Sequence, residues 1–104
     1  MTSPRSTTGA LERLQEWYKA QCNDDWEHSY GVKLDTLDNP GWSLEIDLTD
    51  TPLQYRSFTE MKREYEHDTE WLTCSLRDGK FTGACGPEKV EEMLEIFLDW
   101  AEDS

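Results

Sequence analysis

The sequence predicts an α+β fold: an N-terminal helix, a mostly antiparallel meander sheet of about five strands and a C-terminal helix, with both helices packed on one face of the sheet. Apolar residues recur at helical spacing near both ends of the chain, and between the ends they alternate with polar residues. Gly and Pro turn signals separate the alternating runs. Because 104 residues can bury one core, we predict a single domain over residues 11–104. The polar start of the chain predicts a flexible lead-in over residues 1–10.

The N-terminal helix is predicted from an apolar row that starts at Leu11, and we expect the helix to end near Asn23. Thr7 or Thr8 is a suitable N-cap, because its hydroxyl can accept a hydrogen bond from an amide of the first turn. The apolar residues at helical spacing are Leu11, Leu14, Tyr18 and Cys22, flanked by Trp17. We expect this row to face the core.

The first predicted hairpin joins two alternating runs through Asn39-Pro40-Gly41. Pro40 and Gly41 suit the second and third positions of a type II turn, and Asn39 would open it. The alternating residues are Val32, Leu34 and Thr36 before the turn, and Trp42, Leu44, Ile46 and Leu48 after it.

The length of this loop is constrained by the side chains that must face the core. A four-residue loop would pair Leu37 with Trp42. That register would place Lys33 and Asp35 on the same face as Leu44. We therefore expect an odd-length loop or a bulge.

The middle of the chain is less regular. Residues 49–57 contain Pro52 and show little periodicity, which predicts a loop or an irregular edge of the sheet. Residues 58–66 fit a helix, with Ser57 and Glu60 as a capping box, or a strand. We favour the strand, because the β-rich segment that follows is typical of its hairpin partner.

The second hairpin is predicted from residues 71–76 and 81–84, joined by the tight-turn signal Asp78-Gly79. Pro87 then suits the first position of the C-terminal helix, and Glu88 complements the positive end of its dipole. The buried face of this helix is predicted to carry Val90, Met93, Leu94, Phe97, Leu98 and Ala101, flanked by Trp100.

Charge sets the class of partner. The chain has 23 Asp and Glu residues against 10 Lys and Arg, a net charge of −13, together with five tryptophans. A field of this sign repels nucleic acid and anionic membranes and raises the encounter rate with basic proteins. No apolar run has the length of a membrane span. We therefore predict a basic protein partner and no contact with nucleic acid or membrane.

The cysteines bear on compartment and on chemistry. Cys22, Cys74 and Cys85 are odd in number, which argues against a disulfide framework and for a reducing, cytoplasmic location. Cys85 precedes the C-terminal helix, whose N-terminus can lower a thiol pKa. The small neighbours Ala84 and Gly86 suit a tight turn from strand to helix, and the negative charge of Glu88 would disfavour a thiolate. Both features favour a structural role for Cys85.

Other catalytic or ligand-binding patterns are absent from the sequence. The cluster Asp24, Asp25, Glu27 and His28 matches no zinc-binding spacing. Its carboxylates are hard ligands and the nearby thiol of Cys22 is a soft one, so the two types favour different metal ions. No catalytic triad or phosphate-binding loop stands out. We predict no metal, no cofactor and no enzymatic activity.

Acidic side chains on turns and solvent faces are the predicted partner contacts, and one or two tryptophans are expected at the surface beside them. The predicted contacts are Asp24, Asp25, Glu27, Glu45, Asp47, Glu91, Glu95 and Asp99. The residues assigned to structure are Trp26, Asn39, Pro40, Gly41, Trp42, Cys85, Gly86 and Pro87.

Several short strings, taken in order, are typical of one known family. The strings are Trp17-Tyr18-Lys19, Gln21-Cys22, Asp25-Trp26-Glu27-His28, Tyr30-Gly31, Thr36-Leu37-Asp38-Asn39-Pro40-Gly41-Trp42, Gly83-Ala84-Cys85-Gly86-Pro87 and Phe97-Leu98-Asp99-Trp100. With these strings the chain resembles the immunity protein 53 family of bacterial polymorphic toxin systems. The resemblance runs from about Leu11 to Ala101 and is loose over residues 49–68.

The resemblance implies a protein that binds and neutralises a cognate toxin, with no catalytic residues of its own. Our hypothesis is that an acidic surface occludes a basic cleft on that toxin, for instance the cleft of a nuclease. The alternative is a small sulfurtransferase-like enzyme that uses Cys85. The resemblance suggests it too, because some members of the family have been labelled sulfurtransferase-like. The chain lacks both the basic cradle and the alternating βα pattern of a rhodanese.

Overall fold

A long helix precedes the strands of a five-stranded sheet along the chain, and another follows them. The computed structural model describes residues 9–63 and 70–102. In chain order the elements are α1 (Ala10–Gln21), a one-turn helix α2 (Trp26–Ser29), β1 (Val32–Leu37), β2 (Gly41–Asp47), β3 (Met61–Arg63), β4 (Leu72–Arg77), β5 (Lys80–Cys85) and α3 (Val90–Glu102).

The strands form one antiparallel sheet in the order β1-β2-β5-β4-β3. The α+β class, the open five-stranded antiparallel sheet and the terminal helices are thus confirmed. The order differs from a meander, because β2 and β5 belong to separate hairpins and pair with each other. Hydrophobic periodicity predicts which face of a strand is buried, but it does not predict which strands lie next to each other in the sheet. The pairing of β2 with β5 therefore could not be predicted from it.

The loop of the first hairpin has three residues, since Leu37 pairs with Gly41. An odd-length loop is thus confirmed, and it places Leu34 opposite the buried Leu44. The type II turn is wrong, because Gly41 is the first residue of β2 and does not have a positive φ. The Asn39–Pro40 peptide is cis.

The turn between β4 and β5 follows the sequence signal closely. Asp78 and Gly79 have φ values of 53° and 77°, so both occupy the left-handed region that a two-residue hairpin turn requires. Arg77 consequently pairs with Lys80.

One face of the sheet carries the core, and α1 and α3 lie on that face. Phe81 of β5 contacts Phe97 of α3, with ring centroids 5.0 Å apart, and Trp17 of α1 contacts Phe97 at 5.1 Å. The buried apolar residues of this core are Ala10, Leu14, Leu44, Ile46, Leu48, Leu53, Leu72, Cys74, Phe81, Cys85, Met93, Leu94, Phe97 and Leu98.

Several predicted boundaries change. Helix α1 begins at Ala10 with Gly9 as its N-cap, and Gly9 makes no side-chain bond; Thr7 and Thr8 lie outside the described residues. Helix α1 ends at Gln21, close to the predicted Asn23. Strand β3 favours the strand interpretation of residues 58–66, of which residues 64–66 lie outside the described part.

Helix α3 begins at Val90 rather than Pro87. The amide of Gly86 still donates to the carbonyl of Trp71 at 2.9 Å, so the strand pairing extends past Cys85. A turn closed by the Lys89 amide and the Gly86 carbonyl at 3.1 Å then redirects the chain over the sheet. The helix can start only after that turn.

Candidate partner-binding surface

Helix α3 carries more acidic side chains than any other helix or strand among the described residues. Its five carboxylates have no basic residue within the helix to balance them. Glu91, Glu95 and Asp99 follow one another at intervals of four, so they form a single exposed row on the face opposite the core.

Two arginines from other elements stabilise the C-terminal end of α3. Arg13 of α1 donates to Asp99 at 3.0 Å and to Glu102 at 2.9 Å, and its bonds to Glu102 and then Asp99 raise its pKa. Arg56 donates to the carbonyls of Trp100 and Ala101 at 2.8 and 3.4 Å. Cations at this end interact favourably with the negative end of the helix dipole.

The remaining acids of α3 divide into paired and unpaired groups. Glu92 contacts Arg63 at 2.5 Å and Lys89 at 3.6 Å. Glu91 and Glu95 make no ion pair or hydrogen bond through their carboxylates within residues 9–63 and 70–102. Among the three predicted contacts on this helix, Asp99 is therefore held by Arg13, whereas Glu91 and Glu95 remain available to a partner.

The turn that precedes α2 is held by its own side chains. The Glu27 carboxylate accepts from the amides of Asn23 and Asp24, both at 2.9 Å, and the Asn23 side-chain oxygen accepts from the amides of Asp25 and Trp26 at 3.0 and 2.9 Å. Asp24 has a positive φ of 73°. Glu27 thus has a local structural role, while Asp24 and Asp25 stay exposed.

We expect Glu27→Gln to lower the melting temperature by a few degrees at pH 7, because only the ionised carboxylate accepts both amides fully. Its own backbone amide first, and then the Asn23 and Asp24 amides, hold the pKa of Glu27 below its ordinary value of 4.5. A carboxylate with a lowered folded-state pKa contributes stability above the unfolded value and loses it as the pH falls through the folded value. The gap between wild type and variant should therefore narrow below about pH 4.5.

Thermal melts followed by circular dichroism from pH 7 to pH 3 measure this gap. Glu16→Gln is the matched control, because the exposed Glu16 of α1 makes no ion pair among the residues that the structure describes. A gap for Glu27→Gln that stayed constant to pH 3 would rule out a role for its ionised form.

Glu45 and Asp47 lie together at the β1 end of the sheet, on the face opposite the helices. They line a groove of about 400 Å³ with His28, Lys33 and Lys80. Lys80 lies 4.0 Å from Glu45, and the Asp47 carboxylate accepts from the Thr49 amide at 3.1 Å. Charges of both signs meet in this groove, so it is less acidic than the α3 row.

The eight predicted contacts therefore do not form one surface. Those of α3 lie on the helix side of the sheet, and Glu45 and Asp47 lie on the other side. The α2 turn lies beside Glu45 and Asp47, because His28 of α2 lines the same groove. Within the described residues, no group of three His, Cys, Asp or Glu side chains has a metal-binding arrangement.

The tryptophans tie loops to the core. Their indole nitrogens donate to loop carbonyls in three cases: Trp26 to Thr49 at 2.9 Å, Trp42 to Pro87 at 3.1 Å and Trp100 to Ser57 at 2.9 Å. Trp26 is buried, and the other four tryptophans are half-buried. None is an exposed side chain, contrary to the expectation of tryptophans at the surface.

Most residues assigned to structure lie around the junction of β2 with β5. Trp42 pairs with Cys85, and a Cβ added to Gly41 would overlap the carbonyl oxygen of Cys85. Gly86 is buried and continues the pairing with Trp71, while Asn39 and Pro40 are exposed in the hairpin loop.

Cys85 is fully buried at the end of β5. Burial raises its pKa to about 11, an effect partly offset by a hydrogen bond from the Trp42 amide. Cys74 is also buried, with a pKa of about 12. These thiols stay protonated at neutral pH, which is the opposite of what a nucleophilic cysteine needs.

An apolar surface beside β1 was missed by the sequence reasoning. Leu11 and Tyr18, predicted to face the core, are 66% and 38% exposed, and Leu34 is 38% exposed. In α1 the buried residues are Ala10 and Leu14, with Trp17 half-buried, so the core row is rotated from the predicted one. The signal was present, because Leu11 and Tyr18 are spaced by seven residues and form a second apolar row.

Comparison with protein families gives a match over most of the chain. The sequence model of immunity protein 53 covers residues 11–102, from the second residue of α1 to the last residue of α3. The chain belongs to the immunity protein 53 family. Comparisons with curated proteins and with solved structures find no match.

The family description, immunity protein 53, indicates an immunity protein. The match includes both hairpins and all the predicted contact residues, so the acids described above belong to the family's folded region. No helix within the described residues has the length and apolar character that crossing a membrane requires.

Proposed function

We propose that this protein binds a cognate toxin and neutralises it, with the acidic surface of α3 meeting a basic surface of the toxin. The observation that carries the proposal is the contrast within α3. Asp99, Glu102 and Glu92 each have a cation supplied by the fold, whereas Glu91 and Glu95 have none among the described residues. The family and the net charge of −13 support the same partner.

Occlusion is the mechanism that this charge favours. A nuclease binds phosphates in a basic cleft, and an acidic surface placed over that cleft competes with the nucleic acid. Long-range attraction accelerates the encounter, and desolvated contacts determine how slowly the complex dissociates. We place the protein in the cytoplasm, where its three free cysteines stay reduced.

Co-expression with the neighbouring reading frame tests the proposal. We expect the product of that frame to harm cells that lack this protein, to be tolerated in cells that have it, and to be retained by the tagged protein in a pull-down. A neighbouring product that is harmless alone, or that does not bind, would end the immunity proposal.

The thiol-enzyme alternative makes a separate prediction at Cys85. We expect Cys85→Ala to leave protection against the toxin unchanged, because the buried, protonated thiol has no part in binding. The lost sulfur contacts should lower the melting temperature by several degrees. Cell survival under toxin expression is the measurement, and Cys22→Ala is the control. Lost protection by a folded Cys85→Ala variant would instead favour the enzyme.

A further inference from the structure

Exposed apolar side chains cluster around strand β1. Of the four large apolar residues exposed in the described chain, Leu11, Tyr18 and Leu34 lie on the helix side of this strand, and only Tyr55 lies elsewhere. Scattered exposed apolar residues are ordinary, but a contiguous group marks a surface that another molecule covers.

These side chains border a groove between α1 and the start of β1. Leu11, Gln15 and Tyr18 form the α1 wall, Tyr30 to Val32 form the opposite wall, and Leu14 lies at the base. The groove has a volume of about 530 Å³. Leu34 extends the apolar surface along β1, because it lies on the same face as Val32 two residues further on.

Strand β1 is an edge of the sheet, so half of its backbone groups face outward. The Asp47 amide donates to the carbonyl of Gly31, which shows that odd-numbered residues of this strand pair with β2. Val32, Leu34 and Thr36 therefore direct their backbone groups away from the sheet. The Asp35 carboxylate already accepts from the Thr36 amide at 3.0 Å. Within the described residues, the outward groups of Val32 and Leu34 have no partner.

The two sides of this edge differ in chemistry. The helix side is the apolar groove, and the other side is the groove that holds Glu45 and Asp47, with Asp35 on the same face. Three carboxylates face two lysines there, Lys33 and Lys80. A strand laid along β1 would direct alternate side chains to these two sides.

We propose that the outer edge of β1 is where the toxin docks, by adding an extended segment to the sheet as a sixth strand. The segment alternates apolar side chains, which fill the groove beside Leu11, with basic side chains, which face Asp35, Glu45 and Asp47. Main-chain hydrogen bonds to Val32 and Leu34 give affinity, and the groove gives specificity. The inference rests on the proposed function, since it names the surface by which the toxin is held.

This surface complements the acidic row of α3. Helix α1 lies between them: Arg13 contacts Asp99 and Glu102 of α3, while Leu11 and Tyr18 line the groove. One partner can thus be attracted by Glu91 and Glu95 and held at β1. Charge then governs the association rate, and the apolar groove governs the dissociation rate.

The test uses the toxin domain encoded by the neighbouring frame, inactivated in its active site, as the probe in surface plasmon resonance. Leu34→Pro removes one outward amide and leaves the ladder to β2 intact, a change that edge strands tolerate. Leu34→Ala removes the side chain but keeps the amide. We expect Leu34→Pro to weaken binding at least tenfold and clearly more than Leu34→Ala does. Equal effects of the two variants would overturn strand addition.

A second pair of variants tests the groove without risk to the fold. Leu11→Glu places a charge in the groove at a position that is 66% exposed, and Tyr55→Glu makes the same kind of change at a position that is 92% exposed and does not line the groove. We expect at least tenfold faster dissociation for Leu11→Glu and less than a twofold change for Tyr55→Glu.

The possible outcomes separate the two proposals. If the wild type binds the toxin and both Leu34→Pro and Leu11→Glu bind as tightly, the docking edge is wrong and the proposed function stands. If the wild type does not bind, the proposed function fails and the docking edge with it. If sedimentation shows a wild-type dimer that Leu11→Glu converts to monomers, a second copy of the chain occupies the edge, which overturns the toxin docking site.

Discussion

Gly41→Ala is expected to lower the free energy of unfolding by about 3 kcal/mol, a large part of the stability of a small domain. A Cβ at this position would overlap the carbonyl oxygen of Cys85 and lie 3.1 Å from the Trp71 ring. The carbonyl belongs to the backbone of β5, so it cannot swing aside as a side chain can. Relief requires β2 and β5 to separate where Trp42 pairs with Cys85.

Two other glycines calibrate this expectation. A Cβ on Gly31 would meet nothing within 4 Å, so Gly31→Ala should be close to neutral. A Cβ on Gly83 would lie 2.9 Å from the sulfur of Met93, which is flexible, so the cost there should be intermediate. Chemical denaturation of the three variants measures the order. Equal stability of Gly41→Ala and Gly31→Ala would show that the β2–β5 approach is not tight.

Glu95→Lys is expected to slow association with the toxin about tenfold at low salt. Glu95 lies at the centre of the acidic row and has no cation of its own within the described residues. A lysine there would lie one turn from both Glu91 and Asp99, so the helix should be at least as stable as before. A slower association could therefore not be attributed to unfolding.

Glu60→Lys is the control, because it changes the net charge equally at an exposed position outside the acidic row. The ion pair that it removes, with Lys62 at 3.9 Å, joins two exposed side chains and contributes little to stability. Stopped-flow association at several salt concentrations measures both variants. We expect the control to differ from wild type by less than twofold, and the Glu95→Lys effect to vanish at high salt as the charges are screened. Equal slowing by both variants would show that net charge alone, and not the α3 row, attracts the partner.

Much of the fold was predictable because it is specified locally. The Asp78-Gly79 turn follows from the need for positive φ at both positions, and the odd-length hairpin loop follows from keeping Asp35 off the core face. The buried row of α3 follows from its apolar spacing. Each of these inferences uses residues that are near one another in the chain.

The rest depended on contacts that are distant in sequence. The start of α3 is set by the pairing of Gly86 with Trp71, and the exposure of Leu11 depends on how α1 is rotated over the sheet. The pairing of Asp99 with Arg13 of α1 was equally invisible to a reading of α3 alone. The sequence shows where the acidic residues are concentrated, and only the packing shows which carboxylates already form ion pairs within the protein.

The pairing of β2 with β5 also has a consequence for how the chain folds. Each hairpin closes a short loop, whereas the β2–β5 ladder joins segments that are far apart in sequence and must offset a larger loop-closure entropy. The seam between these strands is thus the high-contact-order part of the sheet. Gly41 lies at one end of that seam, where the first hairpin joins the second.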